Sequence, residues 1–158
     1  MSVRSVNVIR LKLQEYVDRG VFRSLNDVSV SRGIYAFRFT WFAPHPFDLT
    51  YTPTTRRLVF RRLLPEISVR SSLYKDLRAF VGGRSGDDLP AHRRIDRKRV
   101  QVSCLPRSRA VSIVMQLKSG NHYKYSVTKI INLVHEIFIM LHSRYPEYLW
   151  EHFDASQE

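Results

Sequence analysis

Hydrophobic and polar positions change period several times along the chain, and each change marks an element. Val6, Ile9, Leu13 and Val17 recur at helical spacing, which predicts a helix over Val6–Arg19 closed by Gly20. Val8 and Leu11 interrupt that stripe, so a strand at the start stays open. Val28–Ser31 reads as a short strand. From Ile34 to Phe42 the pattern alternates: Tyr35, Phe37, Phe39 and Trp41 fall on one face, and Ile34, Ala36, Arg38, Thr40 and Phe42 on the other. Pro44 and Pro46 end it. Phe47–Thr52 and Arg57–Leu63 follow as a hairpin around Pro53, Thr54 and Thr55. Ser71 or Ser72 caps a helix running to Val81, with Leu73, Leu77, Phe80 and Val81 on its apolar face and Gly82-Gly83 as its stop.

A second β region is predicted from Arg99–Leu105, Ala110–Lys118 and His122–Tyr125, joined by turns at Pro106–Arg109 and Ser119–Asn121. The helix Val127–His142 is apolar over most of its circumference, so it needs a sheet on one side and a second covering surface on the other. Pro146 starts a short end helix over Glu147–Phe153. The expected fold class is α+β: an antiparallel β-sheet from two meanders with helices packed on one face, in the order α-βββ-α-βββ-α-α. Residues 1–158 are read as a single domain, and residues 82–98, which carry Gly82, Gly83 and Gly86, as a flexible basic loop.

Composition adds the class of protein. The chain is 44% hydrophobic and 12% aromatic, which suits a folded domain and excludes a disordered one. Cys104 stands alone, so no intrachain disulfide forms. No apolar run is long enough to cross a membrane, and Met1–Asn7 lacks the apolar core of a signal peptide; a soluble, cytoplasmic protein is expected.

Charge changes the picture most. There are 26 Lys and Arg against 14 Asp and Glu, a net charge of +12. Such an excess repels itself in a small domain and points to a partner of opposite sign, such as nucleic acid, an anionic membrane surface or an acidic protein, with nucleic acid or an acidic protein carried forward. The densest run is Arg93-Arg94-Ile95-Asp96-Arg97-Lys98-Arg99, and Arg57 and Arg61 belong to a second cluster with Arg56 and Arg62. Arg93, Arg94, Arg97, Lys98, Arg99, Arg57 and Arg61 are the candidate polyanion-binding residues. A solvated connector is the competing reading of the same run. If the two meanders share one sheet, both clusters are expected on its open face with Arg38, Lys118 and Lys124. Tyr145, Tyr148, Trp150 and Phe153 are candidates for an interface that also supports a homodimer, or else for a clamp of the end helix onto its own domain.

No catalytic residue, metal site or cofactor is expected. His135-Glu136 begins like the zinc-protease pair, but Ile139 stands where the second histidine belongs. Asp87 and Asp88 are adjacent in a loop, with no difference in environment to separate an acid from a base. Gly82–Gly86 lacks the Gly-Lys-Ser/Thr ending of a phosphate loop. Cys104 on an apolar strand is expected to be inert.

Two resemblances add expectations. Arg32-Gly33-Ile34-Tyr35-Ala36-Phe37-Arg38-Phe39 resembles the aromatic signature strand of RNA-recognition motifs, which implies stacking of bases on the sheet; core packing is the other reading of the same aromatics. The order of elements resembles that of the class I chaperones of type III secretion, which implies a small dimer binding an extended segment of another protein. The sequence reading therefore ranks a non-enzymatic polyanion-binding domain first, and a chaperone-like module dimerising through its C-terminal helix second.

Overall fold

The computed structural model describes residues 3–43 and 45–154. In chain order its elements are α1 (Val3–Asp18), β1 (Ser24–Ser31), β2 (Ile34–Thr40), β3 (Phe47–Thr52), β4 (Arg57–Leu64), α2 (Ser72–Gly83), β5 (Val100–Arg107), β6 (Ala110–Leu117), α3 (Tyr123–Arg144) and α4 (Pro146–Phe153). The strands form one open antiparallel sheet in the order β1-β2-β3-β4-β6-β5. Both meanders belong to this sheet because β4 pairs with β6, Leu58 lying opposite Met115 and Phe60 opposite Ile113.

Alternation decides which face is covered. Phe37, Leu49, Phe60 and Ile113 stand in register across four strands and are buried. They pack with Ile9 and Leu13 of α1 and with Val127, Ile130 and Val134 of α3 in one core. Phe22, Phe39 and Phe60 continue it as an aromatic chain, with ring centroids 4.2 and 5.7 Å apart. The opposite face carries Arg38, Asp48 and Arg61 in one row and Thr52, Arg57 and Gln116 in another. Between those rows Ala36, Thr50, Val59 and Val114 stand in register, so this face mixes polar and small apolar side chains, as one wetted face of an antiparallel sheet allows. The fold class is thus the α+β class expected from the pattern.

The element order is corrected to α-ββββ-α-ββ-α-α. The first change is that the short strand at Val28–Ser31 extends back to Ser24. Ser24 lies opposite Thr40, and their hydroxyls share a 2.9 Å hydrogen bond. An edge strand needs little apolar signal, so polar Ser24, Asn26 and Asp27 gave none. The second change is that His122–Tyr125 is not a strand. His122 is the N-cap of α3, its carbonyl accepts from Ser126 N–H, and the Ser126 hydroxyl donates to the Tyr123 carbonyl at 2.8 Å. The β preference of Tyr123 and Tyr125 is overridden by continuity with the buried stripe that follows. Pro44, expected to end the strand, lies outside the described residues.

Turn chemistry explains the hairpins. Arg32-Gly33 and Ser108-Arg109 each link strands as two-residue loops with both residues at positive φ, the geometry that matches strand twist. Arg62, at φ 47°, makes a bulge in β4 that turns both Arg61 and Arg62 outward, and its N–H donates to the Ser112 hydroxyl at 2.8 Å. The all-round apolarity of α3 is also explained. It packs against β6 on one side and against α1, α2 and α4 on the others.

Candidate functional site

The loop from Arg84 to Arg99 connects α2 to β5 and lies against α3, on the helical side of the sheet. Ile95 anchors it, 3% exposed, with its N–H donating to the Arg84 carbonyl. Tyr125 of α3 accepts from the Asp96 N–H at 2.9 Å, and Lys129 donates to the His92 carbonyl at 3.0 Å. Arg84 and Arg93 both reach Glu136, at 3.1 and 3.0 Å. Arg94 donates to the carbonyls of Asp87 and Leu89, the second at 2.8 Å. These ties span the stretch expected to be flexible.

The expected cationic residues therefore divide by what they touch. Arg93 spends its donor on Glu136 of α3, and Arg94 spends its donors on carbonyls of the loop itself. Arg97 and Lys98 are exposed, and among the described residues neither pairs with a carboxylate. Arg99 is half-buried, with its guanidinium 3.9 Å from the centre of the Tyr125 ring and its Nε donating to His122 Nδ1 at 3.2 Å. Arg57 and Arg61 are on the open face of the sheet, where Arg57 Nε donates to Gln116 at 3.2 Å. The expectation that both clusters share that face is corrected: the loop run folds back over α3, so the sheet separates it from Arg57 and Arg61. Arg38 on the open face is held by both oxygens of Asp48, at 2.8 and 3.2 Å.

Three adjoining depressions follow the loop. The first, of about 650 Å³, gathers Arg4 from α1, Arg56 from the β3–β4 turn, Arg99, and Lys124 from the first turn of α3. Tyr51, Tyr123 and Asn121 add neutral polar groups to its wall. The second, of about 730 Å³, is lined by Arg94, Arg97, Lys98, Arg99 and Lys129, with Asp87 and Asp96 as its acids. The third, of about 340 Å³, continues past Arg93 and Lys129 to Glu136. Arg99 stacked on Tyr125 is the shared wall of the first two, and His92, Ile95 and Lys129 are common to the second and third. The result is a trough whose free positive charge is concentrated at the α1 end.

Burial pulls the Lys129 ammonium below the usual lysine range; Glu136 opposes this and Arg99 adds to it. Burial raises the Tyr51 hydroxyl above its ordinary value, reinforced by Tyr123 and opposed by a hydrogen bond with Ser5 and by Arg56. Tyr51 is therefore a neutral hydrogen-bonding group at neutral pH. Cys104 lies elsewhere, on β5, where burial pushes its thiol up to about 11. Among the described residues, no three His, Cys, Asp or Glu side chains gather as a metal-ligand set, and no helix is long and apolar enough to cross a membrane.

The remaining candidates have other placements. Tyr145 donates to Asp76 and Tyr148 to the Pro65 carbonyl. Phe153 is buried against Phe138, ring centroids 4.9 Å apart. All three fasten α4 to its own domain, and Trp150 alone of the four is exposed, at 54%. Tyr35, Phe37 and Phe39 point away from the open face of the sheet, so the likeness to an RNA-recognition strand ends at the alternation itself. Arg4, Lys129 and Tyr125 were missed in the sequence, and Lys124 was expected on the open face of the sheet. The basic and aromatic interleaving of Tyr123-Lys124-Tyr125, all three of which line the first cleft, was a signal masked by reading the segment as a strand.

Glu136 is the hinge of the loop's attachment. Glu136→Ala leaves Arg84, whose side chain is 16% exposed, beside Arg93 with no shared acid. Removing one partner of a partly desolvated pair is expected to cost about 1–2 kcal/mol, discounted for the exposure of Arg93. Hydrogen exchange checks this: amides of residues 92–96 are expected to exchange faster in the variant, with the strands of the sheet unchanged.

Comparison with protein-family models, curated proteins and solved structures returned no match.

Proposed function

We propose that the chain binds a polyanion, with a nucleic-acid strand favoured, along the trough formed by the loop 84–99, the first turns of α3 and the N-terminal end of α1. The observation that carries this reading is the gathering of Arg4, Arg56, Arg99 and Lys124 around one cleft with no carboxylate among the described residues that line it, continuous with a second cleft bearing Arg97, Lys98 and Lys129. Phosphates spaced along a strand are met by cations spaced along a groove. A single strand suits the site better than a duplex, because it can bend into successive depressions. Aromatic stacking contributes little, since the Tyr125 ring is already covered by Arg99. Recognition would be largely independent of base sequence.

The chaperone-like alternative has less to build on. The apolar surface of α3 is covered within the domain, leaving Ile139 and Trp150 as the large exposed hydrophobics of α3 and α4. Four strands precede α2, where the resemblance was drawn from three. Class I chaperones are usually acidic, and this chain has a net charge of +12.

A salt titration with an internally labelled, mixed-sequence oligonucleotide tests the proposal. Neutralising about four phosphates gives a slope near −3 in log affinity against log salt for a single strand. Arg97→Ser/Lys98→Ser is expected to reduce that slope by about 1.4 and Arg38→Ser to leave it unchanged. Affinity that stays flat with salt, or an acidic peptide that binds better than the oligonucleotide, overturns the nucleic-acid reading.

A further inference from the structure

The first cleft differs from its neighbours in a way that continuous backbone tracking does not require. Its cations come from four separate segments, α1, the β3–β4 turn, the entry to β5 and the start of α3, rather than from one basic run. Among the described residues no carboxylate lines it, whereas the second cleft contains Asp87 and Asp96 and the third contains Glu136. Among the described residues, Arg4, Arg56, Arg99 and Lys124 make no ion pair. The first turn of α3 has no acidic residue and its N-cap makes no side-chain capping bond, so positive potential from the helix end adds to the charges.

Arg56 is held for this position. It is in the left-handed region at φ 57°, unusual for a non-glycine residue. Its carbonyl accepts from Leu117 N–H at 2.9 Å and from the Gln116 side chain at 3.2 Å, which fixes the turn against β6.

We infer that the first cleft is a receptor for a terminal phosphate, taking the phosphomonoester end of a nucleic-acid strand or of a free mononucleotide. This rests on the polyanion reading of the trough and makes it directional. An internal phosphodiester carries one negative charge, while a phosphomonoester carries about −1.5 to −2 at neutral pH and three acceptor oxygens. Four unpaired cations favour the second. Arginine forks and a lysine point charge are the donors such a group selects. Tyr51, Tyr123 and Asn121 supply neutral polar groups beside them. The volume of about 650 Å³ exceeds what a lone phosphate occupies and is of nucleotide scale. The rest of the strand then leaves past the Arg99–Tyr125 wall, along Arg97, Lys98 and Lys129.

The test uses one oligonucleotide sequence with an internal label in three forms: 5′-phosphorylated, 3′-phosphorylated and hydroxyl-ended. Adenosine 5′-monophosphate and inorganic phosphate serve as competitors. One phosphorylated form is expected to bind about tenfold more tightly than the hydroxyl-ended one, the worth of a charge-assisted set of bonds. Arg4→Ala/Lys124→Ala, both at exposed helical positions, is expected to abolish that advantage. Arg97→Ser/Lys98→Ser is expected to weaken all three forms alike. Arg4→Gln/Lys124→Gln repeats the measurement if the alanine pair melts early. Salt-sensitive binding that ignores the end group overturns the inference and leaves the polyanion reading standing. Binding of the mononucleotide alone, lost in Arg4→Ala/Lys124→Ala, supports the inference and overturns the strand reading. Binding of neither overturns both.

Discussion

Phe60→Ala is expected to destabilise the fold by about 3–5 kcal/mol. Phe60 is fully buried in β4, between Leu49 and Ile113 in register and with Phe39 and Phe47 at ring-centroid distances of 5.7 and 5.6 Å. Truncation removes the transfer free energy of the ring and leaves a cavity. Backbone pairing fixes the strands on both sides, so the walls cannot close the space. Urea unfolding measures it: the midpoint should fall with the slope unchanged. A loss below about 1 kcal/mol contradicts the register of the central strands. The consequence reaches the site, because β4 carries the Arg56 turn and its pairing with β6 brings that turn within reach of Arg99.

Arg99→Ala is expected to weaken oligonucleotide binding by about 30-fold or more, since charge-assisted bonds on both sides of one wall are lost together. Arg99 borders both of the larger clefts, and its guanidinium lies over the Tyr125 ring, 3.9 Å from its centre. Its backbone carbonyl accepts from Lys118 N–H, a bond the substitution leaves in place. Arg99→Lys keeps the charge and loses the planar fork, so an intermediate affinity is expected. Arg61→Ala, on the far face of the sheet, serves as the control and should change affinity less than about twofold. Fluorescence anisotropy at fixed salt distinguishes the three. Equal effects of Arg99→Ala and Arg61→Ala contradict the placement of the site.

Much of the fold was legible because its strong periods are real. The alternation of Tyr35, Phe37, Phe39 and Trp41 is the alternation of a half-buried strand, and the stripe from Val127 to Leu141 is buried on several sides. The illegible parts have definite causes. Tyr123 and Tyr125 prefer strands locally and are drawn into α3 by the helix that follows. Ser24 to Asp27 pair through backbone groups that leave no apolar trace. The site was only half legible. The run from Arg93 to Arg99 drew notice by density, yet density does not say which arginines are engaged. Arg93 is bound to Glu136 and Arg94 to backbone carbonyls, both distant in sequence or hidden in loop geometry. Arg4 and Lys124 stand alone in the sequence, and only the packing of α1 beside α3 brings them to Arg56 and Arg99.

The most direct test of the trough is a map of backbone amide shifts in the 15N-labelled protein, titrated with a single-stranded oligonucleotide at low salt. Shifts are expected to concentrate at residues 4–8, 54–56, 97–99 and 121–129, with the open-face positions Arg38, Arg57 and Arg61 quiet beyond their immediate turns. Shifts gathered instead along Arg38, Arg57 and Arg61 would contradict the account, placing the interface on the bare face of the sheet.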